Sequence, residues 1–252
     1  MDGSHQMGTE IRDGKLIRYD GDLQQFIVPD YVTEIAELAF SGASGLISIE
    51  IPDSVTTIGN YAFLNCYSLQ NIRMPSRIEK IGSGLFQNCW QLREIVLPEG
   101  VVTLGGDMLE SCHALRSVHL PGSLKKIARS AFNTCRSLRE IHISPDRMDV
   151  LPTPIRNIAV LTYMSTHDGS EPCEAVDEYA RAKQRLLIDL AVNRRDTDAV
   201  RYMLEHGIAD TDTMLTYLNK AAATSRVEIT ALLLEYSRGM ESDPVLSGDP
   251  FA

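Results

Sequence analysis

Positive charge is scarce in this sequence. Its 252 residues carry 24 lysines and arginines against 34 aspartates and glutamates, a formal net charge of −10. The deficit runs through the chain: residues 1–150 hold 14 basic and 18 acidic side chains, and residues 151–252 hold 10 and 16. Neither part has the cationic excess that contact with a phosphate backbone demands. Nucleic acid and anionic membrane surfaces are therefore not expected partners. Long apolar runs are missing too. None approaches the ~20 residues that cross a bilayer, so no membrane insertion is expected. The amino terminus has no apolar stretch of the signal-peptide kind. Residues 1–10 read as disordered or tag-like, with Met1 to Gly8 partly a cloning remnant. A chain complete as it stands points to the cytoplasm, and a removed leader points to secretion or the cell surface.

Catalytic signatures are absent as well. There is no Gly-rich phosphate loop, no nucleophile elbow and no His-Glu-x-x-His helix. Ser111-Cys112-His113 sets nucleophiles beside a histidine, but neighbours in sequence are not a triad. No catalytic residue, cofactor or metal centre is nominated, and the chain does not read as an enzyme.

What the sequence does have is a period. Proline recurs every 23 residues at Pro29, Pro52, Pro75, Pro98 and Pro121. An aliphatic column runs Ile35, Ile58, Ile81, Leu104, Ile127, and a bulky one Phe40, Phe63, Phe86, Leu109, Phe132. Leucine holds positions 46, 69, 92, 115 and 138. Two further columns run from Ile49 to Ile141 and from Ile51 to Ile143. Such a period marks a solenoid, in which one repeat cannot bury its own apolar face and neighbours must stack. Within a repeat, Ile72 and Met74 share one side of an extended strand while Asn71 and Arg73 share the other. Pro75 lacks an N–H and ends the strand. Gly82 is expected to supply a backbone conformation closed to most residues.

The motif Leu46-x-x-Ile49-x-Ile51-Pro52-x-x-Val55-x-x-Ile58-Gly59-x-x-Ala62-Phe63-x-x-Cys66 resembles the BspA-like bacterial leucine-rich repeat. That resemblance covers about half of the chain. It implies an α/β repeat solenoid, a ladder or horseshoe used for binding. Repeats run 24–46, 47–69, 70–92, 93–115 and 116–138, with a truncated sixth strand at 139–143. Asp20-Gly21-Asp22 between apolar runs predicts an amino-terminal hairpin over Lys15–Val28, covering the open edge of the first coil. The solenoid with this cap is expected over residues 11–150.

After Ile143 the period fails. Thr153-Pro154 predicts a helix from Pro154 to about Ser165, covering the far end of the ladder. A weaker repeat follows at an offset of 30. Leu187–Ala191 precedes Ala199–Gly207, and Tyr217–Ala221 precedes Ile229–Glu235. These resemble two divergent ankyrin-type helical pairs, making an all-α region over 151–240. Asp196 or Thr197, and Asp210 or Thr211, are the expected caps, with Gly207 ending a helix in the left-handed conformation. Residues 241–252 read as a flexible tail.

Cys66, Cys89, Cys112 and Cys135 share one column, which Ala43 begins. Alanine can neither ligate nor cross-link, so the column reads as small buried side chains and not as a metal site. The next column reads Ser44, Tyr67, Trp90, His113, Arg136, and Trp90 is the only tryptophan. Tyr, Trp and Arg dominate binding hot spots. An outward strand column reads Ile47, Gln70, Arg93, Arg116, Arg139, and another Glu50, Arg73, Val96, His119, His142. The candidate ligand-binding residues are therefore Tyr67, Trp90, Arg93, His113, Arg116, His119, Arg139 and His142. The expected ligand is a protein partner, with a carbohydrate bound by a surface adhesin as the alternative. The bland reading of the same columns is a solvated face that keeps the sheet soluble.

Overall fold

The computed structural model describes residues 8–167 and 173–242. The chain divides into two compact units, one up to Arg156 and one from Asn157.

The first unit opens with a hairpin, but not the expected one. Strand β1 (Thr9–Arg12) pairs antiparallel with β2 (Lys15–Tyr19). The turn is Asp13-Gly14, with φ of 49° and 74°, the double positive φ that suits a two-residue hairpin loop. Asp20–Asp22 does not close a hairpin. Beyond it, β3 (Gln25–Ile27) pairs in parallel with β5 (Ser48–Glu50), with Phe26 opposite Ile49. Phe26 thus heads a core column, and the column's pull on β3 outweighs the local turn signal. β2 in turn pairs in parallel with β4 (Glu34–Ile35). Thr9 and Glu10, expected in the tag-like stretch, are part of β1, while residues 1–7 lie outside the described ones.

Each coil then gives a three-residue strand and a two-residue strand. The longer ones are β5, β7 (Asn71–Arg73), β9 (Glu94–Val96), β11 (Ser117–His119) and β13 (Glu140–His142). The shorter ones are β4, β6 (Thr57–Ile58), β8 (Lys80–Ile81), β10 (Thr103–Leu104) and β12 (Lys126–Ile127). Register follows the period, as in Ile49 opposite Ile72 and Val118 opposite Ile141. Four of the coils cross from short strand to the next leucine through tight turns and hold no helix. Two left-handed residues per coil explain this: Leu38 and Gly42, Tyr61 and Asn65, Gly84 and Asn88, Asp107 and Ser111. A right-handed helix cannot run through such positions.

The core is a file of rings. Tyr19, Phe40, Phe63 and Phe86 stack with centroids 5.2, 5.1 and 5.5 Å apart, and the three phenylalanines are fully buried. Gly82 has a different role from the expected one. Its φ is not positive, but a Cβ there would collide with the Asn60 backbone of the preceding coil. Close approach of stacked coils, and not an unusual backbone angle, demands the glycine.

The ladder has one gap. The sheet β3-β5-β7 and the sheet β9-β11-β13 are separate. So are β1-β2-β4-β6-β8 and β10-β12, with the isolated bridge Arg77–Glu99 at the same junction. At the gap Ile72 and Met74 are only half-buried, whereas Ile49, Ile95, Ile51 and Leu97 are buried.

A 3-10 helix (Pro145–Val150) leads to α1 (Thr153–Thr166), which has Pro154 in its first turn. The second unit continues with α2 (Glu174–Ala182), α3 (Gln184–Arg194), α4 (Thr197–Glu205), α5 (Thr211–Ala223) and α6 (Val227–Ser242). Of the alternative caps, aspartate serves in both places. Asp196 accepts from the Ala199 amide at 3.0 Å, and Asp210 from the Thr213 amide at 2.7 Å. Gly207 is left-handed, with φ of 58°. The 30-residue offset appears in the helix ends: Arg195 and Ser225 are both left-handed. The amides of Asp196 and Arg226 that follow donate to Ala191 and Ala221 at 2.9 Å. Most of the expected tail falls outside the described residues. Glu241 and Ser242 belong to α6.

Candidate functional site

The eight nominated residues fall into two groups. Tyr67, Trp90 and His113 occupy the turn after each buried cysteine, and the inward cysteine and leucine on either side force this position to the surface. Tyr67 and Trp90 lie 4.3 Å apart between ring centroids, and Trp90 and His113 lie 6.3 Å apart. Trp90 is 44% exposed. It sits between two rings, tilted 41° to Tyr67 and 28° to His113. His113 Nδ1 donates to the Thr134 carbonyl of the next coil at 3.2 Å, which fixes the tautomer.

Three residues on in each repeat, Arg93, Arg116 and Arg139 lead into β9, β11 and β13. The Arg116 amide donates to Arg93 at 2.8 Å and the Arg139 amide to Arg116 at 2.9 Å. All three side chains are exposed. Arg93 and Arg116 make no ion pair within the described residues, although Glu94 and Glu140 follow Arg93 and Arg139 in sequence. Those carboxylates lie on the outer face of the sheet. Glu94 reaches His119 Nε2 at 3.4 Å, and Glu140 reaches His142 Nε2 at 3.6 Å.

His119 and His142 are the second group. They lie opposite one another on β11 and β13 and stack with centroids 4.1 Å apart, nearly parallel at 8°. Glu50 heads their column but lies on the distant β5; the carboxylates that reach them are Glu140, two positions before His142 on β13, and Glu94 on the adjacent strand β9. Burial pushes the His119 pKa down, the neighbouring His142 adds to this, and Glu94 and Glu140 oppose it. Among the described residues no three His, Cys, Asp or Glu side chains converge in a way that would hold a metal.

The cysteine column faces inward. Cys66, Cys89, Cys112 and Cys135 donate to the carbonyls of Phe40, Phe63, Phe86 and Leu109 at 3.0–3.3 Å. All five cysteines are free thiols. Burial raises the pKa of Cys89 and Cys112 well above the ordinary value and that of Cys135 to about 12. At neutral pH they hold almost no thiolate, the reactive form.

Two features escaped the sequence reading. One is a groove of about 520 Å³ at the ladder gap, lined by Ile72, Met74, Val96, Leu97 and Leu120 with Arg73 at its side. The columns run unbroken through the gap, so nothing in the residue pattern marks it. The other is a buried polar cluster in the helical unit. Asp177 accepts from Tyr202 Oη at 3.0 Å and pairs with His206 Nδ1 at 3.2 Å. Burial, and then the facing Asp177 carboxylate, push the Tyr202 pKa up. The available signal was Tyr202 and His206 at helical spacing on an apolar face. Among the described residues no helix is long and apolar enough to cross a membrane.

Comparison with known proteins bears on the first unit. Residues 12–139 match the model of the BspA type leucine rich repeat region, in 6 copies. A leucine rich cell surface protein from Faecalibacterium prausnitzii A2-165 is 34% identical with a TM-score of 0.54, covering 57% of this chain and 40% of that one. The leucine rich repeat protein of T. pallidum is 32% identical with a TM-score of 0.50, covering 52% of this chain and 64% of that one. This chain thus spans less than two thirds of either. No curated protein matches the chain.

Proposed function

We propose that this chain, which belongs to the BspA-type leucine-rich repeat family, is a non-catalytic binding module whose repeat region engages a protein partner. One observation carries the reading. The buried columns barely change from coil to coil, while the exposed column Ser44, Tyr67, Trp90, His113, Arg136 changes at every step. Solubility needs only polar residues there. It does not need a tryptophan at 44% exposure beside a file of arginines, and that residue mix is the one enriched in binding hot spots. We assign the binding surface to the repeat region within residues 11–150, with the helical region of 151–240 as a companion surface.

The test is capture of partners from a bacterial or host-cell extract on the immobilised full chain. Trp90→Ala and Arg116→Gln should each reduce the captured species, and Arg116→Gln should do so without lowering the unfolding midpoint, since its side chain is exposed. Capture no greater than background would count against the reading.

A second reading is an adhesin or carbohydrate-binding protein of the bacterial surface. The similarity of the repeat region to the leucine rich cell surface protein of Faecalibacterium prausnitzii favours it. Sugar rings stack on open aromatic faces, however, and Trp90 lies between Tyr67 and His113. Trp90 emission unchanged across a glycan panel would remove this reading and leave the first one standing.

A further inference from the structure

We infer that the free edge of β3 is a docking site for an extended, basic segment of a protein partner, which adds to the ladder as one more strand. The inference rests on the binding-module reading and names a partner class for it. The amino-terminal hairpin covers only one of the two strand faces of the first coil, where β2 pairs with the short strand β4. The longer strand β3 is the terminal strand of its own sheet, paired with β5 on one side. Repeat spacing identifies the backbone groups left over. Gln25 and Ile27 stand 23 residues before Ser48 and Glu50. The Ser48 amide donates to Gln24 at 3.0 Å and the Glu50 carbonyl accepts from Val28 at 2.9 Å, so these are the positions that bond toward the preceding coil. β3 has no preceding coil. The N–H and C=O of Gln25 and Ile27 therefore have no partner among the described residues, in the pattern that another strand satisfies.

The edge is anchored from within. Phe26 is buried against the rings of Tyr19 and Phe40, with centroids 4.9 and 5.7 Å away, and the Leu23 amide donates to the Tyr19 hydroxyl at 3.0 Å. An edge already fixed in place loses little order when a strand is added. Apolar side chains stand beside it: Ile27 is 69% exposed, and Leu23, just before the strand, is 50% exposed. Proteins blunt open edges with lysine, proline or a bulge. β3 carries no lysine and no proline, and its register with β5 is regular. Charge selects the occupant. From Tyr19 to Ile72 the sequence has seven acidic residues and no lysine or arginine. Asp20, Asp22 and Asp30 flank β3, are exposed, and make no ion pair among the described residues. Antiparallel pairing of β3 with β3 of a second copy would align Asp22 of each copy with Asp30 of the other, and like charges placed opposite one another destabilise a sheet. An extended segment with lysine or arginine at its ends meets the same carboxylates with opposite charge.

The test uses the full chain and a labelled peptide of about nine residues, the length that reaches from Asp22 to Asp30 on an extended chain. The peptide has lysines at both ends, with valine and threonine alternating between them. A second peptide has the same charge but an N-methyl group at every valine and threonine, so it cannot pair as a strand. A third has glutamates in place of the lysines. Fluorescence anisotropy should show binding of the first peptide, weaker by about tenfold or more for the second and the third. In the protein, Gln25→Pro removes an outward N–H and leaves the bonds of Gln24, Phe26 and Val28 to β5 in place. Ile27→Lys puts a like charge on the edge. Each should weaken binding of the first peptide by about fivefold or more. Ile27→Lys should do so without lowering the unfolding midpoint, since the side chain it replaces is exposed. Equal binding of the first and second peptides would mean charge attraction alone, and binding unchanged in Ile27→Lys would place the site elsewhere. Either result overturns the inference, as does no binding of the first peptide. None of these outcomes touches the module reading, which falls only if the unsubstituted chain captures no partner from an extract.

Discussion

The repeat region and the helical region solve the same problem by opposite means. The solenoid buries long apolar files and keeps its charges on the outside: Phe40, Phe63 and Phe86 are fully buried in one continuous stack. The helical unit buries a charge. Asp177 is 4% exposed, held by Tyr202 and His206. A stack of similar coils is tolerant at its surface, because any exposed side chain fits a frame set by the core. A buried ionic cluster is intolerant, because each member leaves the others unsatisfied. The difference leaves the variable surface to the solenoid, where the proposed recognition is placed.

Deleting a ring from the middle of the stack should have the largest effect. Phe63→Ala removes a side chain packed on both sides and should cost about 3–5 kcal/mol in denaturant unfolding. Phe132→Ala, near the end of the file and 8% exposed, should cost less. Equal losses would mean that the stack does not act as a continuous file.

Asp177→Ala comes next. It strands the Tyr202 hydroxyl and the His206 imidazole in the interior and should destabilise by about 3 kcal/mol. Asp177→Asn keeps one acceptor and should recover part of that. Loss of the helical signal before the β signal on heating this variant would show that the damage is local to its unit.

A cap is a smaller matter. Asp196→Ala should cost about 1 kcal/mol, read from the same helical signal, because one amide loses its acceptor.

The smallest effect is one of pH. His119 has a lowered pKa in the folded protein, so the unfolded chain takes up protons more readily. Its contribution to stability is therefore intact above the unfolded histidine value of about 6.5 and is lost as pH falls through the lower folded value. The unfolding midpoint should drop between pH 7 and pH 5, and His119→Gln should flatten that slope. A slope unchanged by the substitution would place its origin elsewhere.

Much of the solenoid was legible because it is written in columns. The 23-residue spacing brought His119 opposite His142 and Tyr67 beside Trp90 without any knowledge of tertiary structure. What failed was what a column does not encode. Asp-Gly occurs at 13–14 and at 20–21, and only pairing of Phe26 with Ile49 decides which closes a hairpin. The requirement for Gly82 was visible, but its cause lies in the adjacent coil. The carboxylates that reach the histidines belong to a different column, Glu140 two residues back on β13 and Glu94 across on β9. Asp177 sits among Glu174 and Glu178 and looks solvated from sequence, since its hydrogen-bond partners Tyr202 and His206 lie more than 20 residues away.

Photo-crosslinking tests most directly whether recognition belongs to the repeats. A photoreactive residue is placed at Arg116, in the exposed file, or at Glu228, on the exposed surface of α6, and each full chain is irradiated in a partner-containing extract. A discrete adduct from position 116 and none from position 228 is the predicted result. An adduct from position 228 alone would contradict the account.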